Sequence, residues 1–386
     1  MNLIEEGFAH REEWIDFRRD LHRYPELSFQ ESETAAKVAR KLQEYGIPFR
    51  MNVGGHGIVA ELKGEGPGRT IALRADMDAL PIQEETGLPF ASERKGIMHA
   101  CGHDAHTTIL LGAAKLLSKQ RFNGTVRLLF QSAEEINAGA RAMIEAGALE
   151  GVDEIYGLHN LPTLSAGKIG TRYGPLMGSV DRIEITLEGR GGHGAIPNQA
   201  IDPVVCASAI VMALQTAVSR EISPFDPAVV TIGSIHAGDA NNVIPQRAEM
   251  TGTVRTFDPR VQRELAERIE RLVKGVAEAY RCHAELRVIR QTPVLVNDDN
   301  CNRYVEEAVD RLIGADRRVE APPTLAGEDF SVYLEKVPGC FFWLGSGPAE
   351  NAESAYGLHH PRFTLNEECI PLGASVLAAV ALSRLS

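Results

Sequence analysis

The chain alternates short apolar runs with longer amphipathic segments, and this alternation restricts the possible folds more than any other property of the sequence. Runs typical of β-strands lie at 57–62, 70–75, 125–130 and 154–158. Helical patterns lie before and between them, at 11–23, 31–45, 106–119 and 139–146. Strands that alternate with helices predict an α/β fold with a largely parallel sheet, covered by helices on both faces.

The pattern changes near Ser179. Residues 181–188 alternate polar and apolar side chains, which is typical of a strand with one solvated face. A helix at 202–219, strands at 228–235 and 248–256, a charged helix at 259–280 and a strand at 284–289 follow. This β-α-β-β-α-β order is the ferredoxin-like signature. We therefore predict a larger domain formed by 1–178 and 292–386, and a small α+β domain inserted at 179–291.

The acidic composition excludes some partners. The chain has 386 residues and a formal net charge of −12, which argues against nonspecific binding to nucleic acid or to anionic membranes. It contains no apolar run of about 18 residues that would span a membrane. Residues 1–20 are charged and lack the apolar core of a signal peptide. We expect a cytoplasmic protein without nucleic-acid or membrane partners, whose six cysteines are mostly buried free thiols.

One cysteine lies in an unusually dense group of ligand-type side chains. Residues 98–106 contain Cys101 and three histidines. Gly102 would allow the sharp turn that Cys101 and His103 need to reach one metal ion. A loop of buried, hydrogen-bonded histidines is the alternative, but this density of Cys and His favours a metal site. Cys101 could also be the nucleophile of a cysteine hydrolase, with a nearby histidine as its base.

Polar side chains follow three of the predicted strands. Asp76 and Asp78 come after one strand, Glu134 and Glu135 after the next, and His159 after a third. Ligands bind at the carboxyl edge of parallel α/β sheets. Because three strands deliver such residues to the same predicted edge, we expect one site rather than several unrelated features.

The remaining polar segments are ambiguous when each is taken alone. His359 lies in a His-His-Pro segment that could supply a further ligand or form an ordinary turn. In the predicted insertion, His193 lies in a glycine-rich loop, and Asn242 and Arg255 lie on or beside strands. These three could form a second wall that binds an anionic group, or they could reflect turn chemistry and a surface charge.

Several segments together resemble the binuclear-metal aminoacylase and carboxypeptidase family. The resemblance is to the branch containing hippurate hydrolase, bacterial N-acyl-amino-acid deacylases and plant auxin-conjugate hydrolases. It spans nearly the whole chain and rests on the order and spacing of 21–27, 74–81, 99–106, 132–135, 157–160, 191–197, 242–245, 326–330 and 359–363. It implies a zinc-exopeptidase-like three-layer catalytic domain with two divalent metal ions. The inserted ferredoxin-like domain would then serve as a lid and as the interface of a homodimer or homotetramer.

The resemblance also implies roles for individual residues. Cys101 would bridge the two ions, with His103 and His159 completing one ion and Glu135 and His359 the other. Glu134 would be the general base, and His193 would help to polarise the scissile carbonyl. The substrate would be held by Asn242, Arg255 and Gly327. Asp78 and Asp104 would orient the ligating histidines.

This chain departs from the wider family at two positions. It has Asp76-Met77-Asp78 where typical members have His-x-Asp, and Cys101 where they have a bridging aspartate; the branch it resembles shares both changes. A thiolate is a softer ligand than a carboxylate, so zinc, manganese, cobalt and nickel all remain candidates.

The predicted activity is hydrolysis of N-acyl-L-amino acids to a carboxylic acid and a free amino acid. A metallo-carboxypeptidase or an N-acetyl-diaminopimelate deacetylase could use the same site. A non-catalytic binder of acyl-amino acids is the alternative of another class.

Overall fold

The computed structural model describes residues 2–348, 350 and 352–385, and the chain divides into two compact units. Unit 1 comprises the described residues up to Leu176, together with Val296–Pro322 and those from Asp329 onward. Unit 2 comprises Met177–Leu295 and Pro323–Glu328. The predicted insertion 179–291 lies within unit 2. The sequence pattern did not separate Pro323–Glu328 from the larger domain. The segment belongs to unit 2 because the Gly178 N–H donates to its carbonyl groups, at 2.9 Å for Thr324.

The secondary structure follows the predicted alternation. The strands are β1 Phe49–Met51, β2 Ile58–Lys63, β3 Thr70–Asp76, β4 Thr125–Gln131, β5 Glu154–Ser165, β6 Ile169–Thr171, β7 Gly174–Met177, β8 Val180–Glu188, β9 Gly192–His193, β10 Ala228–His236, β11 Val243–Ile244, β12 Arg247–Thr256, β13 His283–Thr292, β14 Leu295–Asn297, β15 Arg318–Glu320 and β16 Gly339–Gly347. The helices are α1 Leu3–Ala9, α2 Arg11–Arg23, α3 Ser32–Glu44, α4 His103–Leu117, α5 Gly139–Glu145, α6 Pro203–Ser219, α7 Pro259–Ala279, α8 Asp299–Ile313, α9 Phe330–Leu334 and α10 Cys369–Leu385.

Unit 1 is built on an eight-stranded sheet in the order β1-β2-β4-β3-β5-β16-β6-β15. The central strands β4, β3, β5 and β16 are parallel. Apolar side chains on one face of the sheet join the helices α2, α3, α4, α8 and α10 in one large core. On the other face, the Arg74 guanidinium lies over the Phe330 ring of α9. The predicted α/β fold with a parallel-rich sheet is confirmed.

Unit 2 contains a four-stranded antiparallel sheet in the order β10-β12-β8-β13. Ile183, Ile185 and Leu187 alternate with polar residues along β8 and pack in a second core with α6 and α7. Both helices begin at a proline preceded by an aspartate whose side chain accepts backbone N–H bonds, which is a favourable helix start. No helix in the described part of the chain is long and apolar enough to cross a membrane.

Candidate metal centre

The turn at Gly102 sets the geometry of the dense Cys and His segment. Gly102 has a left-handed backbone (φ 87°), and α4 begins at the next residue, His103. A Cβ atom on Gly102 would lie 2.3 Å from the Asn160 Nδ2 atom, so glycine is required there for space as well as for its backbone conformation. The sequence pattern predicted that this helix begins near His106. Its earlier start fixes His103 on a rigid element two residues after Cys101.

Two groups of potential ligands meet at Cys101. Its sulfur forms one group with the ring nitrogens of His103 and His159. The second group consists of Cys101, Glu135 and His359. Within each group the ligand atoms lie within 4.8 Å of one another. The Cys101 Sγ atom is 3.3 Å from His159 Nε2, and His359 Nε2 is 3.4 Å from Glu135 Oε2. All five predicted metal ligands are therefore brought together, and the two groups share the thiol.

Glu134 lies beside these groups on the turn that follows β4. Ala133, in a left-handed conformation (φ 55°), reverses the chain immediately before it. Glu134 Oε2 is 4.0 Å from His103 Nε2, and the side chain is largely buried. The two neighbouring glutamates thus both face the histidine cluster.

His159 reaches the cluster in a different way from the one predicted. We expected it to follow the end of its strand, but β5 continues to Ser165, so His159 lies within the strand. In the parallel register Arg74 of β3 pairs with Gly157 of β5. Continuing this register brings His159 level with Asp76, the last residue of β3. The residues therefore converge because the strands are in register, although only two of the three strands end there.

Carboxylates make the centre strongly attractive to positive charge. His103 is fully buried, which opposes its protonation, yet Asp76 and Asp78 raise its pKa to about 10. Burial raises the pKa of Glu135 to about 7, against the opposing effect of His103. Burial, together with His106, holds the pKa of His159 well below its usual range, which keeps that ring neutral. A neutral imidazole is the form that binds metal.

Two buried atoms in the centre lack the partners that buried polar atoms normally have. Among the described residues, neither His103 Nε2 nor Glu135 Oε1 has a hydrogen-bond partner, and the two atoms are 3.8 Å apart. A divalent cation would satisfy both atoms. One thiol, three imidazoles and one carboxylate are a donor set suited to zinc and other first-row divalent ions. The residues therefore fit a metal centre.

Of the two aspartates predicted to orient ligating histidines, Asp78 has the expected contact. Its Oδ1 atom is 3.3 Å from His103 Nδ1. Asp104 does not contact a residue of the two ligand groups; its Oδ2 atom instead lies 2.7 Å from both Arg18 Nε and His22 Nδ1. Successive side chains on a helix point about 100° apart, so Asp104 faces away from the side that presents His103. The role predicted for Asp104 is corrected accordingly.

Buried hydrogen bonds that the sequence did not predict hold the potential ligands in place. Asp76 Oδ1 is 2.6 Å from His106 Nδ1, and His106 Nε2 accepts the Asn160 N–H at 2.9 Å. The Asn160 Nδ2 atom in turn donates to the Cys101 carbonyl, and the backbone carbonyl oxygen of Asn160 is 2.8 Å from His159 Nδ1. Asn160 therefore links the potential ligands Cys101 and His159. Its position next to His159 was the only available signal, since these partners are distant in the sequence.

The other predicted residues lie in unit 2 and form two pairs. His193 is on β9 opposite Val243 of β11, and the Gly194 N–H donates to the Asn242 carbonyl at 2.8 Å. His193 and Asn242 are both exposed. Arg255 on β12 is near Gly327, where an added Cβ atom would lie 3.2 Å from Arg255 Nη1 and 2.1 Å from Val180 Cγ2. Val180 therefore excludes a larger residue at 327, and the glycine also leaves room beside this guanidinium.

Known proteins are similar to this chain in both sequence and fold. Residues 72–383 match the sequence pattern of Peptidase family M20/M25/M40. The chain belongs to this family. It is 47% identical over 374 residues to N-acetylcysteine deacetylase of Bacillus subtilis, which covers 95% of this chain and 96% of that protein. It is also 39% identical over 392 residues to thermostable carboxypeptidase 1 of Saccharolobus solfataricus, covering 99% of each.

A solved structure extends the likeness to three dimensions. The YxeP protein of Bacillus subtilis, described as a dinuclear metal binding peptidase from the M20 family, has a TM-score of 0.85 and 43% identity. The match covers 98% of this chain and 99% of that one. The predicted membership of the aminoacylase and carboxypeptidase family is thereby confirmed as membership of family M20/M25/M40.

Proposed function

We propose that this chain is a metal-dependent amidohydrolase that cleaves N-acyl amino acids into a carboxylic acid and a free amino acid. The observation that carries the proposal is the pair of ligand groups that share Cys101. Cys101, His103 and His159 would hold one divalent ion, and Cys101, Glu135 and His359 a second. The dinuclear description of the YxeP relative supports two ions. Zinc, manganese, cobalt and nickel are the candidates.

In this reaction the chain's own residues would bind, orient and move protons. Glu134 would accept a proton from the attacking water and pass it to the leaving nitrogen as the C–N bond breaks. His193 would donate to the carbonyl oxygen and stabilise the charge that develops on it. When bound, the ions would supply Lewis-acid polarisation and lower the pKa of water toward about 7.

The substrate's α-carboxylate would be bound by residues of unit 2. Arg255 is half-buried, and burial lowers its pKa against the effect of Asp181. Its Nε donates to Thr253 Oγ1 at 2.9 Å, which leaves its terminal nitrogens for a carboxylate. Gly327 keeps the space beside it open, and Asn242 would add an amide contact. N-acyl amino acids and peptides with a free C-terminus both carry the carboxylate that these residues would bind.

We also propose a homodimer and a cytoplasmic location. Helix α6 contains no charged residue, and its Val204, Val205 and Met212 are exposed by 41%, 50% and 71%. An exposed apolar helix face supports an interface between two copies. All six cysteines are free and buried, which supports a reducing compartment.

Carboxypeptidase activity is a second candidate, favoured by the similarity to the Saccharolobus carboxypeptidase. The test is a hydrolysis screen with protein stripped of metal and reloaded separately with zinc, manganese, cobalt or nickel. Substrates would be N-acetyl, N-benzoyl and indole-acetyl amino acids and N-blocked dipeptides. We expect cleavage of N-acyl amino acids that a chelator abolishes. Activity that survives the chelator would instead support Cys101 as a nucleophile, and binding without cleavage under all four metals would support a binder.

A further inference from the structure

Three successive backbone N–H groups in the turn after β4 donate to buried carboxylates. The Ala133 N–H donates to Glu31 Oε1 at 2.9 Å. The Glu134 and Glu135 N–H groups donate to the two oxygens of Asp78, at 3.1 and 3.0 Å. The turn that carries the proposed base is therefore held by side chains from elsewhere in the chain, and Glu31 holds its first residue.

Glu31 occupies a costly position for a carboxyl group. It is fully buried, with an exposed fraction of 0%. Within the described chain its Oε2 atom has no hydrogen-bond partner, and no cation is among the main groups that act on it. Burial raises its pKa to about 7. A buried carboxyl group without a cationic partner destabilises the fold unless its hydrogen bonds compensate, so there must be a local reason for its presence.

That reason lies in the two backbone segments that Glu31 joins. Its Oε1 atom accepts both the Ala133 N–H and the Phe29 N–H, the latter at 3.0 Å. Ala133 and Phe29 have left-handed backbones, with φ of 55° and 60°. Such a conformation is unfavourable for a residue with a side chain, because its Cβ atom comes too close to the following carbonyl oxygen. One oxygen atom thus stabilises two strained turns at once.

The contact with Phe29 connects the turn to its second carboxylate anchor. Ser28, the residue before Phe29, donates from its Oγ to Asp78 Oδ2 at 2.7 Å. Residues 28–31 therefore supply one of the two carboxylates that accept from residues 133–135, Glu31, and donate a hydrogen bond to the other, Asp78. Without Glu31, the Ala133 N–H would lose its acceptor, and the turn would be held by Asp78 and by the Ala133 carbonyl, which accepts from the Ala138 and Gly139 N–H groups. We expect this loss on one side of the turn to change the direction of the Glu134 side chain.

We propose that Glu31 is a positioning residue, which sets the direction of Glu134 by holding the Ala133 peptide. This inference rests on the proposed function, in which Glu134 moves the proton. Misplacement of a catalytic group by about 1 Å lowers turnover by about 100-fold. Loss of the Glu31 carboxyl should therefore lower kcat far more than it changes KM.

The test compares Glu31→Ala, Glu31→Asp and Glu31→Gln in the full-length, metal-loaded protein. We expect kcat to fall by about 10- to 100-fold in Glu31→Ala, with KM within about twofold and bound metal unchanged. Glu31→Asp should behave similarly because its shorter side chain cannot reach both N–H groups, and it replaces the alanine variant if that variant does not fold. Glu31→Gln should recover most of the turnover, because its amide oxygen can accept the same two N–H groups.

The control is Glu154→Ala, which removes another buried carboxylate whose partners are Arg69 and Arg384. If both alanine variants lower kcat equally, or if Glu31→Gln is as impaired as Glu31→Ala, Glu31 is not a positioning residue. Hydrogen exchange of the Ala133 amide supplies a readout that needs no substrate. We expect faster exchange in Glu31→Ala than in Glu154→Ala, and equal rates would overturn the proposal. A wild-type protein that cleaves no N-acyl amino acid would contradict the proposed function, while the exchange rates would still decide whether Glu31 anchors the turn.

Discussion

The side chain of Cys101 is shared by both ligand groups, so its loss should affect both ions. We predict that Cys101→Ala loses most of its metal, because each group would retain only two protein ligands. Elemental analysis after dialysis measures the metal content directly. Cys206→Ala, which removes a buried thiol from unit 2, is the control and should retain full metal. Full metal retention in Cys101→Ala would be incompatible with a bridging thiolate.

Gly102 offers a test of how closely the ligand turn is packed. We predict that Gly102→Ala weakens metal binding by about 10- to 100-fold, because the added Cβ atom would displace Asn160 from the Cys101 carbonyl. Isothermal titration with zinc measures this affinity. Gly46→Ala is the matched control, since Gly46 also has a positive φ (70°) but has no atom within 4 Å of its added Cβ. Equal zinc affinity in both variants would show that the contact with Asn160 does not matter.

Among the secondary-structure elements, β5 shows which features the sequence pattern predicted and which it did not. Its apolar run predicted a strand from Glu154, but the polar residues after Leu158 concealed its continuation to Ser165. The segment 98–106 was recognisable because Cys and His at short spacing favour a metal site. Glu31 and Asn160 were not recognisable, because their partners, Ala133 and Cys101, lie 102 and 59 residues away along the chain.

The start of β5 carries a partly buried ion cluster whose contribution to stability should depend on pH. Glu154 accepts from Arg384 Nε at 2.9 Å and also contacts Arg69. Burial opposes ionisation of Glu154, but Arg384 and Tyr156 outweigh it, so its pKa is lowered from 4.5. A lowered pKa means that the cluster stabilises the fold above about pH 4.5 and loses this effect as the pH falls through the folded-state pKa.

We therefore predict that Glu154→Gln lowers the free energy of unfolding at pH 7 by about 1–3 kcal/mol. The difference from wild type should shrink as the pH falls below about 4, when the wild-type carboxylate also becomes neutral. Urea unfolding of the metal-free proteins at several pH values measures both quantities. A difference that stays constant across this range would rule out ionisation of Glu154 as its cause.

For the molecule as a whole, the apolar exposed face of α6 predicts self-association. Met212 is the most exposed of its apolar side chains, at 71%. We predict that the wild type has a mass twice that of one chain by light scattering, and that Met212→Glu shifts it toward the monomer by placing charges in the interface. Glu145→Gln, a substitution on an exposed residue of α5, should leave the mass unchanged. A monomeric wild type would contradict the proposed dimer.

A single comparison of turnover and metal content in Glu134→Gln tests the proposed mechanism most directly. Removing the base should leave the five proposed ligands in place, so the variant should bind as much metal as the wild type. Hydrolysis of an N-acetyl amino acid should fall by about 100- to 10,000-fold, the usual contribution of a general base. Near-normal turnover with full metal content would contradict the assignment of Glu134 and the proposed mechanism with it.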